Sequence, residues 1–410
     1  MAAKLSPNGM SKQEVMDRMR ALKQDDADWR GARTWSLVFP AGEDVDEVLE
    51  AAHREFLFEN ALNPFRFPSL RVMEEEVVEM TAGLLNAPEG ARGCMTSGGT
   101  ESILAAVKAA RDHARAERNI AEPELLVPAS AHPAFIKAAH YLDMPCRRIE
   151  LADDLRADLD SARQLVGPAT AMLVASAPNY PHGLIDPVEE LAALAAENNT
   201  FCHVDACVGG FILPFLEKTG VPLPAFDFRV PGVTSMSADV HKYGYATKGA
   251  SVVIHRDAHT LLNHQAFFFD DWPGGMYGSL AVAGTRPASA IAAAWAVMNY
   301  LGEEGYLERA RVVAQTSAAL KAGISSIDGL RLVGDPPASL MAFCSDQYDM
   351  GAIGDVMDAR GWHLDRQERP PALHMMVTPN HAQIIERFLD DLRFAVSSHG
   401  ESKGKSARYN

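Results

Sequence analysis

Two stretches of this chain are apolar at almost every position, and they limit its possible folds more than any other feature. AMLVASAP (171–178) is nearly continuous, and FCHVDAC (201–207) is broken only by a histidine and an aspartate. A strand with one wet face alternates polar and apolar residues, so a continuous run marks a strand covered on both faces. Helices must then lie above and below the sheet, and parallel strands need crossover helices to connect them. The intervening segments have that character. ESILAAVKAARDHARAERN (101–119) carries Ile103, Leu104 and Val107 at helical spacing, and PAFIKAAHYLD (133–143) and VEELAALAAEN (188–198) are amphipathic. ELLVPAS (124–130), CRRIEL (146–151), SMSAD (235–239) and ASVVIHR (250–256) read as further strands. The expectation is an α/β fold on a large, doubly wound sheet.

After residue 290 the rhythm changes. A long helix precedes strand-like RLVG (331–334) and LMAFCS (340–345), a helix at GAIGDVMDARG (351–361), HMMVTP (374–379) and a last helix at HAQIIERFLDDLRFAVSS (381–398). At 410 residues the chain exceeds one small core. The expected layout is a helical arm over 1–60, interrupted by SLVFPAGED (36–44), a large domain over 61–290, a small α+β domain over 291–400, and a flexible tail, ESKGKSARYN, over 401–410.

The net charge of −16 argues against nucleic acid as a partner, since such surfaces need clustered Lys and Arg. Five widely spaced cysteines without a CxxC pair fit reduced thiols and a cytoplasmic setting. The opening MAAKLSPNGMSKQEVMDRMR lacks the apolar core of a signal peptide, and AIAAAWAVMNYLG (290–302) is too short to span a membrane and reads as a buried helix.

Four short stretches at strand ends could converge, because ligands of such sheets bind beyond the carboxyl ends of the strands. TSGGTES (96–102) leads into a helix; its glycines admit a ligand to the backbone, and its amides and hydroxyls suit a phosphate, although an ordinary helix cap reads the same way. SAHPAF (130–135) offers His132 as a ring to stack on a flat ligand, or as a structural histidine. HVDACVGG (203–210) ends an apolar strand on Asp205, which needs a cationic partner: a protonated heterocycle or a structural arginine. His203 reads as structural. SADVHKYGYATKG (237–249) places Lys242 beside His241, with Lys248 six residues on; neighbouring cations and desolvation would lower an amine's pKa and make it nucleophilic. Together they form an anion cradle, a stacking ring, a carboxylate for a pyridinium and an amine for a Schiff base, the inventory for pyridoxal phosphate.

In order and spacing, with Asp205 37 residues before Lys242, these stretches resemble fold-type I pyridoxal-phosphate enzymes of the group II decarboxylase superfamily, and within it the sphingosine-1-phosphate lyases. NPFRFPSLRVMEEE (63–76), NYPHGLIDPVEELAALA (179–195), HVDACVGGFILPF (203–215), FDFRVPGVTSMSADVHKYGYATKG (226–249) and DWPGGMYGSLAVAGTRP (271–287) carry the likeness. The resemblance implies a Schiff base on Lys242, Asp205 on the ring nitrogen and His132 against the ring. It implies a phosphate held by Ser97, Gly98, Gly99 and Thr100, with help from His241. Tyr180 and Lys248 would lie near the substrate amine, Lys248 moving a proton. A homodimer with shared sites would bring Gly278 and Ser279 to the neighbour's phosphate. The resemblance implies no metal, and the sequence shows no metal-ligand spacing.

Two positions depart from the family pattern. Phe39 stands where an aromatic hydroxyl is usual and Asn63 where a histidine is usual, and HLDRQERPP (363–371) is unusually charged for the flank of a lipid-tail channel. The leading expectation is a lyase that cleaves phosphorylated long-chain bases by retro-aldol chemistry to a fatty aldehyde and phosphoethanolamine. An amino-acid decarboxylase of the same superfamily is second. A cofactor-binding protein without catalysis is third, disfavoured because Lys242 and Asp205 are both intact.

Overall fold

The computed structural model describes residues 5–398, 400–402 and 404; most of the expected tail, residues 403 and 405–410, lies outside them. Strands β1 (Arg92–Thr96), β2 (Glu124–Pro128), β3 (Cys146–Ile149), β4 (Thr170–Ser176), β5 (Phe201–Asp205), β6 (Ser235–Ala238) and β7 (Ser251–His255) form one sheet in the order β1-β7-β6-β5-β4-β2-β3. From β3 to β6 all neighbours are parallel, whereas β7 is antiparallel to both β6 and β1. β1 therefore points the same way as β6. The carboxyl ends of β1 through β6 all open on one edge, and the first residues of the connecting loops meet there.

The apolar runs do what two covered faces require. All seven residues of β4 are buried. Met172 and Val174 join the cluster beneath the Gly99–Glu117 helix, with Ile103, Val107 and Phe135, while Leu173 and Ala175 join the opposite one, with Leu191 and Ala195 of the Val188–Glu197 helix. This is the period-2 alternation of a strand, with both faces dry. Truncating Leu173 to Ala is expected to cost about 2–5 kcal/mol.

β8 (Phe267–Phe269) and β9 (Tyr277–Ser279) form a separate hairpin whose residues Phe267, Phe268, Trp272 and Met276 are exposed. A second sheet, β10 (Arg331–Leu332), β11 (Leu340–Cys344), β12 (Asp365–Glu368) and β13 (Pro371–Met376), is antiparallel in the order β10-β11-β13-β12. The helices Met350–Ala359 and Ile385–Ser398 cover it around Phe343, Trp362 and Phe388. AIAAAWAVMNYLG opens a 38-residue helix, Ala288–Ser325, kinked at Gly302, where φ is +54°. It runs from the large cluster, at Ile291 and Val297, to the small one, at Leu320 and Ile324. The segment around SLVFPAGED links the same two clusters: Trp35 stacks on His381 at 4.1 Å, and Phe39 packs edge-on to Tyr243 at 5.1 Å. No helix among the described residues is long and apolar enough to cross a membrane, and the five cysteines are free.

Candidate active site

The helix Gly99–Glu117 begins immediately beyond β1. Gly98 is its N-cap and supplies no side-chain cap, so the ordinary helix cap that TSGGTES also suggests is not what the fold uses. Ser97 instead donates both its backbone N–H (2.7 Å) and its hydroxyl (2.5 Å) to Glu101. The other carboxylate oxygen of Glu101 accepts the amides of Val282 (2.8 Å) and Ala283 (3.2 Å), so one buried carboxylate joins the cradle to the loop after β9. Burial works against its charge, but these four donors prevail and hold its pKa below the usual value. Gly99 has no room for a side chain: a Cβ there would lie 2.9 Å from the Asp239 carboxylate and 2.8 Å from Cys207 Sγ. Gly98 faces His241 at 3.5 Å by the same construction. Thr100 is exposed at the helix mouth.

Asp205 ends β5 and is buried; its Oδ1 accepts the Cys207 amide at 3.0 Å and faces the Ser237 hydroxyl at 3.5 Å. His132 follows β2 and accepts the Ala134 amide on Nδ1 at 3.1 Å. Its pKa is lowered by burial first, with Asp205 opposing and Lys242 assisting, which places these three groups in one electrostatic neighbourhood. His241 bonds through Nδ1 to the Ala250 amide (3.3 Å), and its Nε2 lies 3.6 Å from Asp239. His203 lies within the sheet between the Ser235 and Ser237 hydroxyls; burial pushes its pKa down to about 3, so it stays neutral.

The two lysines reverse the sequence expectation. Lys242 Nζ lies 3.0 Å from Asp239 Oδ2. Burial disfavours its charge, but Asp239, with Cys207 and Asp205 adding to it, raises its pKa above that of a free lysine. Asp239, three residues upstream in the same stretch, is the anionic partner that outweighs the neighbouring cations. The amine with lowered pKa is Lys248, at about 8, through desolvation first and the Lys242 charge second. Lys248 is exposed as a residue, yet its Nζ donates to the His241 carbonyl (2.8 Å) and lies 5.0 Å over the Phe39 ring.

Tyr180, in the loop after β4, donates its hydroxyl to Asp365 at 2.7 Å, so the charged stretch 363–371 reaches this edge through β12. Gly278 and Ser279 do not join the group around Lys242. They line a separate cavity of about 490 Å³ with Leu62, Glu74, Arg92 and Arg286, and the Ser279 hydroxyl is spent on the Ala281 carbonyl at 2.6 Å. Asn63 caps a turn beside that cavity by accepting the amides of Phe65 (3.0 Å) and Arg66 (3.2 Å).

These residues fit pyridoxal phosphate. A buried carboxylate at a strand end, a lysine and a histidine converge beside a helix mouth whose glycines keep the backbone bare, Gly98 facing His241 and Gly99 admitting no side chain. Comparison with known proteins agrees. The model of the pyridoxal-dependent decarboxylase conserved domain matches residues 36–345. The sphingosine-1-phosphate lyase of Oryza sativa subsp. japonica is 42% identical over 398 residues, spanning 95% of this chain and 73% of the relative. The solved sphingosine-1-phosphate lyase of Burkholderia pseudomallei K96243 superposes with a TM-score of 0.93 at 41% identity, covering 97% of this chain and 93% of that one. A glutamate decarboxylase from Lactobacillus brevis shares the fold, with a TM-score of 0.85 at 22% identity, covering 98% and 96%. The chain thus belongs to the pyridoxal-dependent decarboxylase family, with the fold-type I architecture, and is a pyridoxal-phosphate-dependent lyase.

Proposed function

We propose that the protein cleaves phosphorylated long-chain bases, breaking the Cα–Cβ bond to release a fatty aldehyde and phosphoethanolamine. The observation that carries this reading is near-full-length identity of 37–42% to a series of sphingosine-1-phosphate lyases, in a chain that keeps both Lys242 and Asp205. When bound, the cofactor supplies the electron sink for the pair released at Cα. Lys242 would be the amine that holds it, Asp205 would keep its ring nitrogen protonated, and His132 would stack against the ring. The amides at Gly98–Thr100 and the helix dipole would hold its phosphate, flanked by His241, and Ser97 would contribute its hydroxyl on turning from Glu101. Lys248 takes the proton from the substrate's Cβ hydroxyl, a task that suits an amine with a pKa of about 8. Tyr180, held by Asp365, orients the head group.

We also assign a homodimer with shared sites, in a cytoplasmic setting. The hairpin that carries Gly278 and Ser279 exposes Phe267, Phe268, Trp272 and Met276, an apolar surface suited to a second copy of the chain. The domain limits proposed from sequence, at 60 and 290, go with this reading. The decisive experiment offers the cofactor-loaded enzyme sphinganine phosphate and, separately, a panel of amino acids. Aldehyde from the lipid alone is the expected result; CO₂ from an amino acid with no aldehyde from the lipid overturns the proposal in favour of a decarboxylase.

A further inference from the structure

The helix that starts at the cradle ends, about 27 Å along its axis at 1.5 Å per residue, in a second cluster of titratable groups. Glu117 is its last residue. One oxygen of that carboxylate, Oε1, meets Nε2 of His259 at 2.6 Å and Nε2 of His264 at 2.8 Å. His113, one turn back, brings its Nε2 to 3.6 Å from Oε2. Three imidazoles and a carboxylate therefore converge from two segments more than 140 residues apart, which is why no local spacing in the sequence reveals them. The two later histidines are five residues apart, and on an α-helix they would point about 140° away from each other. Here Thr260–Gln265 forms a π-helical turn, whose i→i+5 pattern brings the rings together at 5.1 Å between centroids.

Two physical features favour a cation at this point. A carboxylate at a helix C-terminus faces the negative end of the dipole and is stabilised there only by positive charge nearby. The donor set is imidazole nitrogen plus carboxylate oxygen, which suits zinc-class ions and not calcium or magnesium, whose sites are built from oxygen. We propose that Glu117, His259 and His264 bind one divalent transition-metal ion of the zinc class, with His113 in reach of the fourth position, as a structural clip remote from the reaction centre.

The geometry is compatible with small movements. The donor atoms of Glu117, His259 and His264 lie within 4.8 Å of one another. A tetrahedral ion with ligands at about 2.1 Å needs donors about 3.4 Å apart, so the present contacts must open by about 0.6–0.8 Å. Glu117 and His259 are solvent-exposed side chains free to make that adjustment, and they leave an entry path; His264 is buried and stays as the anchor. Asn263 lies against Nδ1 of His259 at 2.8 Å, where a metal-bound histidine needs its orienting partner once the amide presents its oxygen. The clip would tie the helix to a turn that already holds neighbouring segments: Lys108 bonds the carbonyls of His264 (2.7 Å) and Gln265 (3.0 Å), and Gln265 donates to the Leu280 carbonyl at 2.7 Å, just after β9.

The test uses full-length, cofactor-loaded protein, treated with a chelator and titrated with zinc sulfate by calorimetry and with cobalt(II) by visible absorption. His259→Ala and Glu117→Gln are the variants, chosen because both side chains are exposed and neither supports the core. One equivalent of zinc per chain, about tenfold or more weaker binding in each variant, and cobalt bands of a tetrahedral nitrogen–oxygen site are the expected results. Equal affinity in wild type and both variants places any bound ion elsewhere and overturns the proposal. Absence of stoichiometric binding to wild type also overturns it and leaves the cluster as a histidine–carboxylate network.

Discussion

Lys242 and Lys248 stand six residues apart and respond to one another. The charge on Lys242, fixed by Asp239, is one of the causes that lowers the proton affinity of Lys248. An amine of pKa about 8 is mostly charged at pH 7 and mostly free at pH 9. If Lys248 accepts the substrate proton, turnover rises with pH through about 8 and levels off above it. In Lys248→Arg, whose guanidinium stays charged, that limb disappears and turnover falls by about 10²–10⁴-fold, as rate profiles from pH 6.5 to 9.5 will show. Lys242→Ala removes the visible absorption band of the loaded enzyme, and a band that survives the substitution reassigns the amine. Asp239→Asn leaves a half-buried ammonium without its partner. The expected destabilisation is near the lower end of about 3–5 kcal/mol, because Lys242 keeps some solvent contact, and chemical denaturation of the apo-protein measures it.

At the scale of elements, Glu101 connects two segments that sequence order keeps 181 and 182 residues apart. Its four backbone and hydroxyl donors come from Ser97, Val282 and Ala283. Glu101→Ala strands those donors, at about 1–3 kcal/mol if water does not replace it. It also loosens the loop after β9, so lower stability and faster cofactor loss are expected together; a change in neither shows that the carboxylate does not bind the two segments to each other. Strands β2, β4, β5 and β7 were legible because each is a mostly apolar run ended by turn residues, whereas β3 (CRRI) and β6 (SMSA) carry little apolar signal and show mainly by their place in the strand–helix alternation. β1, with the sequence RGCMT, was not legible, since an edge strand of five residues containing Arg and Gly has little period to read. The hairpin β8–β9 was missed for the opposite reason: its phenylalanines are outside, and apolar pattern predicts burial.

At the scale of the whole molecule, histidines kept neutral by burial set the response to acid. His203 is pushed down to about 3, and His374 and His381 to about 4. The unfolded chain binds protons at these rings below about pH 6.5, and the folded chain refuses them until the pH is far lower. The stability they confer is therefore complete above about pH 6.5 and declines as pH falls from there towards 4. Urea midpoints at pH 7.5, 6.5 and 5.5 should fall in that order, and a midpoint that holds steady down to pH 5.5 contradicts the reading. The proposed dimer makes a second molecular prediction. Phe268→Asp together with Trp272→Asp places charge on the exposed hairpin, and gel filtration should then report half the wild-type mass, with activity lost as the species separates.

The residues alone determined the class of fold and the cofactor, because continuous apolar strands, strand-end glycines and a carboxylate closing an apolar strand are local facts with local physical consequences. Packing decided which amine is acidic: burial of the Lys248 ammonium lowers its pKa first and the nearby Lys242 charge second, with Asp239 opposing. It also decided that Glu101 meets Val282 and Ala283, that Tyr180 meets Asp365, and that Glu117 meets two histidines from a turn 142 and 147 residues away. Such contacts join residues that share no period and no motif, and only the closing of the chain around the sheet brings them within bonding distance.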